Sequence, residues 1–423
     1  MKLLNRIICR LTYSIRLVLV KFSGDLTCLF LGRKEAQIYR IEPAQTLVSQ
    51  KTYPGKDAEK DGTFTSFLLH PESSYTRAQP KYTNSNIAWS SAPQAVPPLY
   101  LYSIPIACVS NLGVISTFDG NIIAESAEQF ISKNQKLDGF VRISKNSFVL
   151  EKIRGAHIFQ GKHVLLTNKH IDNYGHFILE CLPNARLLNE TSGLADAKVV
   201  IHKTENPDIR KSVYEVLALA GVEKEQIVEF GGEGKIGLFE VLLYPSPITN
   251  HPAWKSNVSV IYCEQLAKKI SALDNSGLEI STSSEYLYVS RSAGFKRRPT
   301  NEGDVIDLLV AAKFTVIYPE RMSVQEQIVT FSRAKIIVGI LGAAMTNIIF
   351  SPQMAQIIMF TPDSIPGYFF WDLASLKKQG YYALSCKTIS QNKGYGDADF
   401  YVDINELKEA LAIANRTISN LKA

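Results

Sequence analysis

The stretch from Glu285 to Phe360 constrains the fold of this chain most, because short apolar runs alternate there with helix-start signals. Glu285 to Ser290, Phe314 to Tyr318, Lys335 to Val338 and Gln356 to Phe360 have the length and residue types of buried strands. Between them one helix is expected from near Thr300. Another is expected from Ser323, whose hydroxyl pairs with Glu326 three residues later as a capping box. Gly342 to Ile349 reads as a loop and short helix. Strand and helix in alternation mean parallel strands joined by crossover helices, so the class is α/β with a doubly wound sheet.

A chain of 423 residues exceeds one ordinary core, and the sequence divides accordingly. Residues 281–402 form this second lobe. Residues 99–280 form a first lobe of short strands such as Leu99 to Ile106, Val164 to Thr167 and Lys198 to His202, with a helix near Ile209 to Ala220. A polar stretch, Ser271 to Ser284, is the expected hinge. Residues 403–423 are a closing helix capped by Asp403, with Leu407, Leu411, Ala414, Ile418 and Leu421 on one face. Residues 24–98 are polar and turn-rich and read as an irregular arm. Residues 1–23 carry five cations and no acid, and on a helix the cations oppose Leu4, Ile7, Ile8, Leu11, Ile15, Val18 and Leu19. That is the pattern of a basic amphipathic helix, lying on an anionic membrane or packed on its own domain.

Composition narrows the function classes. Hydrophobic content of 46% and charged content of 20% are those of a globular protein, and a formal charge of +6 is mild for this length. It suits anionic small ligands or an acidic membrane surface better than nucleic acid. The six cysteines are scattered without metal-type spacing, which favours free thiols in a reducing cytoplasm.

Ligands of open α/β sheets sit beyond the carboxyl ends of the strands. Arg291 with Lys296, Arg297 and Arg298 forms a cationic loop directly after a strand, and guanidinium groups match phosphate with paired hydrogen bonds. The bland alternative is a solvated basic loop. Gly339 to Asn347 follows the next strand, and its small residues Gly342 and Ala343 allow close backbone approach to a diphosphate. The alternative there is a tight turn without ligand. Asn347, an amide among apolar neighbours, needs partners. Glu302 opens a helix, where capping competes with a ligand role. In the first lobe, His170, Asp172, His176 and Glu180 fall within eleven residues after a strand, in a segment that Pro183 kinks or ends. Asp172 or His176 has the chemistry of a general base; the alternative is a structural histidine. Asp397-Ala398-Asp399 has the DxD form but sits in a polar turn, so no metal site is expected. Asn189, Asn257 and Asn415 open triplets of the glycosylation pattern, uninformative without secretion.

Several of these segments together resemble glycosyltransferase family 61, often labelled capsular polysaccharide biosynthesis proteins in bacteria. They are Asn173 to Phe177 with Leu182-Pro183 and Arg186 to Leu188, Ser290-Arg291, Arg297-Arg298, Asn301-Glu302, Pro319-Glu320, Ser323 with Glu326-Gln327, Phe331 to Ala334, and Gly342 to Asn347. Phe118 to Glu125 echoes a further piece. The resemblance spans roughly residues 100 to 405 and implies a GT-B-like pair of Rossmann-like lobes with a cleft between them, the first taking the acceptor and the second the nucleotide sugar. It implies inverting transfer, from a UDP-sugar, to a glycan or lipid-linked glycan in surface-polysaccharide synthesis, with no cofactor or obligatory metal. The donor-binding residues expected are Arg291, Arg297, Gly342, Ala343, Asn347, Glu302 and Glu326, with His176 or Asp172 as base. The expected location is cytoplasmic, peripheral on the inner membrane. One departure stands out: the family commonly has a histidine where this chain has Leu341. It motivates a second reading, a non-catalytic nucleotide-sugar-binding partner subunit. A third reading is an enzyme that modifies the sugar nucleotide without an acceptor.

Overall fold

The computed structural model describes residues 16–22, 25–31, 39–42, 44–47, 64–117, 120–131, 134–144, 147–150, 155–167, 169–170, 172–232, 235–273, 284–292, 296–365, 367–389 and 397–421. Two large sheets organise them, and the chain is mixed α/β.

The second sheet follows the expected alternation closely. Its order is Thr315–Ile317, Tyr286–Val289, Ile336–Ile340, Gln356–Pro362, Gly380–Thr388 and Phe400–Tyr401, parallel except for the last strand. Ile336–Ile340 and Gln356–Pro362 are buried throughout, as central strands covered on both faces must be. The crossover helices are Glu302–Ala311 and Val324–Ser332, and the second opens with the Ser323–Glu326 capping box in both directions. The closing helix runs Ile404–Asn420 with Asp403 accepting from Asn405 N and Glu406 N; Leu407, Leu411, Ala414 and Ile418 of the expected face are buried, while Leu421 at its end is exposed.

The first sheet departs from the expected Rossmann-like lobe. Eleven strands form it: Lys235–Pro245, Gly155–Leu165, Lys198–His202 and Ile227–Phe230 make a parallel run, and Asn121–Ile123 pairs parallel with Tyr39–Glu42. Beyond them Leu99–Val109, Ile115–Thr117 and Asn121–Ile123 make an antiparallel meander. The meander's connections are a few residues long, too short for crossover helices, so antiparallel pairing follows.

The amino-terminal expectations need correction. Arg16–Phe22 is a strand, paired antiparallel with Asp25–Leu31, where a helix over 1–23 was expected. The run Leu17 to Val20 is rich in strand-favouring residues, and only two residues separate the strand Arg16–Phe22 from its partner, which also has an apolar run. Residues 1–15, with the rest of that expected helix, lie outside the described residues. The arm over 24–98 also carries strands. Thr65–His70 adds to Leu99–Val109, while Tyr82–Thr83 adds to Gly380–Thr388 in the other sheet. Most of the expected hinge, residues 274–283, is likewise outside the described residues.

One apolar core runs through both halves. Val164, Val199 and Leu243 from the first sheet join Val289, Ile337 and Met359 from the second. Cys108, Cys181, Cys263 and Cys386 are buried free thiols. Among the described residues no helix is long and apolar enough to cross a membrane.

Candidate functional site

Parallel pairing of Val289 with Gly339 makes the two central strands end side by side, so Arg291 and Leu341 leave the sheet together. Arg291 Nη2 donates to the main-chain oxygen of Leu341 at 2.8 Å, and its Nη1 donates to Lys296 O at 2.8 Å. Arg297, held in the left-handed region at φ 63°, sends Nη1 to the same Leu341 oxygen at 2.7 Å. Two guanidinium groups therefore converge on one carbonyl at the carboxyl edge of the sheet. Burial and the neighbouring Arg297 pull Arg291 down to about 10, with Glu320 opposing, so it stays charged at neutral pH. Burial also lowers Arg297, against Asp397. A pair of like charges desolvated together is a strong anion acceptor, since an anion relieves both costs.

Gly342 is what lets Arg291 lie there. A Cβ at this position would stand 2.9 Å from Arg291 Cζ and overlap Nη2. Ala343 opens a short 3-10 segment, Ala343–Ile349, directly after it.

The two carboxylates expected to bind donor have other work. Glu302 is nine-tenths buried and accepts from Ser290 Oγ at 2.5 Å, Tyr288 OH at 3.3 Å and Arg298 Nη2 at 2.5 Å. It anchors the start of the arginine loop from beneath. Glu326 Oε2 accepts from Ser323 N at 2.7 Å as the reciprocal half of the helix cap. Each carboxylate thus has an intramolecular partner, and in the case of Tyr288 and Ser290 no local sequence signal announces it.

Asn347 finds the partners its burial demands. Its Nδ2 donates to Gln327 Oε1 at 2.7 Å, and its Oδ1 accepts from Tyr174 OH at 2.8 Å. With one Nδ2 hydrogen and one Oδ1 lone pair engaged in this way, Asn347 joins the halves of the protein. Gly175 packs on Thr346 so closely that a Cβ would lie 3.3 Å from Thr346 Cβ and collide with Oγ1. The Tyr174-Gly175 step thus docks on the 342–347 turn.

This docking fixes His176. The backbone passes from α-helix at Tyr174–His176 to a π turn at Phe177–Cys181 and a 3-10 turn at Leu182–Arg186, with Pro183 in its first turn. Insertions of the π type re-aim side chains. His176 Nδ1 lies 2.6 Å from Glu180 Oε1, and its ring is 4.8 Å from that of His170 and 6.0 Å from Phe369. With Nδ1 on a carboxylate, Nε2 is the nitrogen left to accept a proton. Asp172 is exposed in the preceding turn and is not part of this cluster.

Phe369 belongs to the helix Tyr368–Leu376, whose cap residue Gly367 lies against the Leu341 side chain. Leu341 thus touches the start of the helix that carries Phe369, the ring 6.0 Å from that of His176. Across Phe369 stand His251, 5.0 Å between rings, and Lys255, whose Nζ is 4.6 Å from the ring centre. Lys255 is fully buried and pairs with Asp372 Oδ2 at 2.5 Å. Asp372 Oδ1 also accepts from Tyr75 OH at 2.6 Å and Arg77 Nε at 2.7 Å. Burial pushes Lys255 down against the pull of Asp372. Sequence reading missed this cluster, because Lys255, Arg77 and Tyr75 reach Asp372 from 117 to 297 residues away. Asp397 and Asp399 of the DxD triplet meet Lys296 Nζ and Arg298 N, at 2.7 and 3.0 Å. Among the described residues no group of three or more His, Cys, Asp or Glu side chains is placed to hold a metal ion.

Residues 174–358 match the family model Glycosyltransferase 61. The matched segment opens at Tyr174 and includes His176, the arginine pair and the 342–347 turn, while Asp172 and Asp372 fall outside it. A comparison with curated proteins finds no match. The family match supports a glycosyltransferase acting on a sugar donor and an acceptor.

Proposed function

We propose that the protein is an inverting glycosyltransferase that uses a nucleotide sugar, UDP-linked, and glycosylates a glycan or lipid-linked glycan in surface-polysaccharide synthesis. In this reading its two sheets act as GT-B-like lobes, and it works in the cytoplasm at the inner membrane. The observation that carries the donor assignment is the convergence of Arg291 and Arg297 on the Leu341 oxygen at the carboxyl edge of a parallel sheet. The two guanidinium groups, with the backbone at Gly342 and Ala343, would hold the donor diphosphate and stabilise it as it departs.

The chemistry follows from His176 being held by Glu180. His176 Nε2 removes the proton of the acceptor hydroxyl as its oxygen attacks the anomeric carbon. The new carbon–oxygen bond forms while the bond to the donor phosphate breaks, and the diphosphate leaves with that electron pair. Glu180 steadies the imidazolium formed. Leu341 does not disturb this design, because the arginines use its main-chain oxygen and not its side chain.

The test is a kinetic division of labour measured with a panel of UDP-sugars. Arg291→Ala should raise the donor Kd about thirtyfold or more, the loss of one charge-assisted phosphate contact of about 2 kcal/mol. His176→Ala should leave donor Kd within twofold and lower kcat by about 10² or more. Full activity in both variants would remove the assignment. Donor binding by the wild-type protein with neither hydrolysis nor transfer would favour the non-catalytic reading.

A further inference from the structure

At the carboxyl ends of Gly155–Leu165 and Lys235–Pro245, where the parallel strands of the first sheet finish, there is a cavity of about 60 Å³. Leu165, Leu166, Tyr244 and Pro245 supply an apolar side. The opposite side is polar: Gln129 from the helix Ala124–Ile131, Thr167 and Lys169 after the strand, Asn184 from the 3-10 turn, and the carboxylates Glu125 and Glu180. Asn184 is 4% exposed, yet its Oδ1 has no hydrogen-bond partner in the protein. The same holds for Gln129 Oε1 and Thr167 Oγ1. Each such atom costs about 1–3 kcal/mol when buried unpaired. Three of them surround one cavity.

The chemistry of the wall selects the ligand. Amide oxygens and carboxylates accept hydrogen bonds, so the ligand must donate several. The wall also holds one cation, Lys169, whose Nζ lies 4.7 Å from the centre of the Phe130 ring, but two carboxylates outnumber it and disfavour phosphate. A threonine hydroxyl beside an apolar face suits a group that both donates and accepts next to C–H surface. Sugar hydroxyls have all of these properties. The volume accommodates roughly four hydroxyl-sized groups at about 10–15 Å³ each, one edge of a sugar ring. Glu180 connects this cavity to the proposed base, since it lines the cavity and holds His176 Nδ1 at 2.6 Å.

We infer that this cavity is the carbohydrate subsite for the acceptor, taking the hydroxyl edge of one sugar unit beside the His176–Glu180 pair. The inference rests on the transferase reading for its role but not for the binding itself. Its test uses the full chain and methyl glycosides of xylose, glucose, galactose and mannose, titrated one at a time by NMR. At least one should bind in the millimolar range. Thr167→Val, which keeps the side-chain shape, and Gln129→Leu should each weaken it tenfold or more while leaving a UDP-induced melting shift unchanged. Arg291→Ala should do the reverse. Absence of binding by all four glycosides, equal binding by both variants, or displacement of the glycoside by inorganic phosphate would overturn the subsite. Loss of the subsite with the UDP shift intact leaves the nucleotide-sugar reading standing. Glycoside binding as described without any UDP response keeps the subsite and refutes that reading instead.

Discussion

Replacing Gly342 by alanine isolates the arginine pair from the rest of the fold. The backbone at Gly342 is extended, φ 165° and ψ 179°, which alanine adopts without strain. The added methyl group would stand 2.9 Å from Arg291 Cζ, so the guanidinium must move, and it lies at the end of a flexible side chain. The stability cost is then confined to the bonds of that guanidinium, Nη2 to Leu341 O and Nη1 to Lys296 O. Arg297 keeps the Leu341 oxygen paired, so about 1–2 kcal/mol is expected. Donor binding loses more, because a displaced Arg291 forfeits a charge-assisted contact of about 2 kcal/mol, about thirtyfold in Kd. Calorimetric titration with UDP, beside a urea melt of the same preparation, reads both quantities. A Gly342→Ala protein that is folded and binds UDP within threefold of wild type would refute the placement of the diphosphate.

Other expectations follow from the buried polar links. Asn347→Leu leaves Tyr174 OH and Gln327 Oε1 without their partner and should cost about 2–5 kcal/mol in urea unfolding, with no change specific to UDP beyond that loss. Asp372 gives a pH signature. Burial acts to raise its pKa, but Lys255, Arg77 and Tyr75 outweigh burial and bring it below the ordinary 3.8. A carboxylate lowered in the folded state stabilises above its unfolded pKa and loses that contribution as pH falls through the folded value. Wild-type stability should therefore drop as pH is taken below about 4, and Asp372→Asn, already weaker at pH 7 by about 3–5 kcal/mol, should lack that slope.

The second sheet was readable because its determinants are local. Each strand is a short apolar run, and Ser323 with Glu326 states its cap three residues apart. Asn347 was legible as a residue in need of partners, although their identity was not. What sequence could not supply was the pairing of distant groups. Glu302 looked like a helix-start carboxylate, and only the fold shows Ser290 and Tyr288 reaching it from the adjacent strand. Lys255 and Asp372 carry no motif at all, and Tyr75 and Arg77 come from a segment that reads as irregular arm. The Arg16–Phe22 strand was missed for the opposite reason: its apolar residues satisfy a helical face as well as a strand, and the deciding partner is the hairpin mate.

The most direct measurement is the melting temperature of the full chain with and without UDP, in wild type and in an Arg291→Ala, Arg297→Ala double variant. A ligand that binds only the folded state stabilises by RT ln(1 + [L]/Kd), about 2.7 kcal/mol at a hundredfold excess over Kd. A clear upward shift in wild type, absent from the double variant, is the predicted result. An equal shift in both proteins, or none in wild type, would contradict the donor site at Arg291 and Arg297.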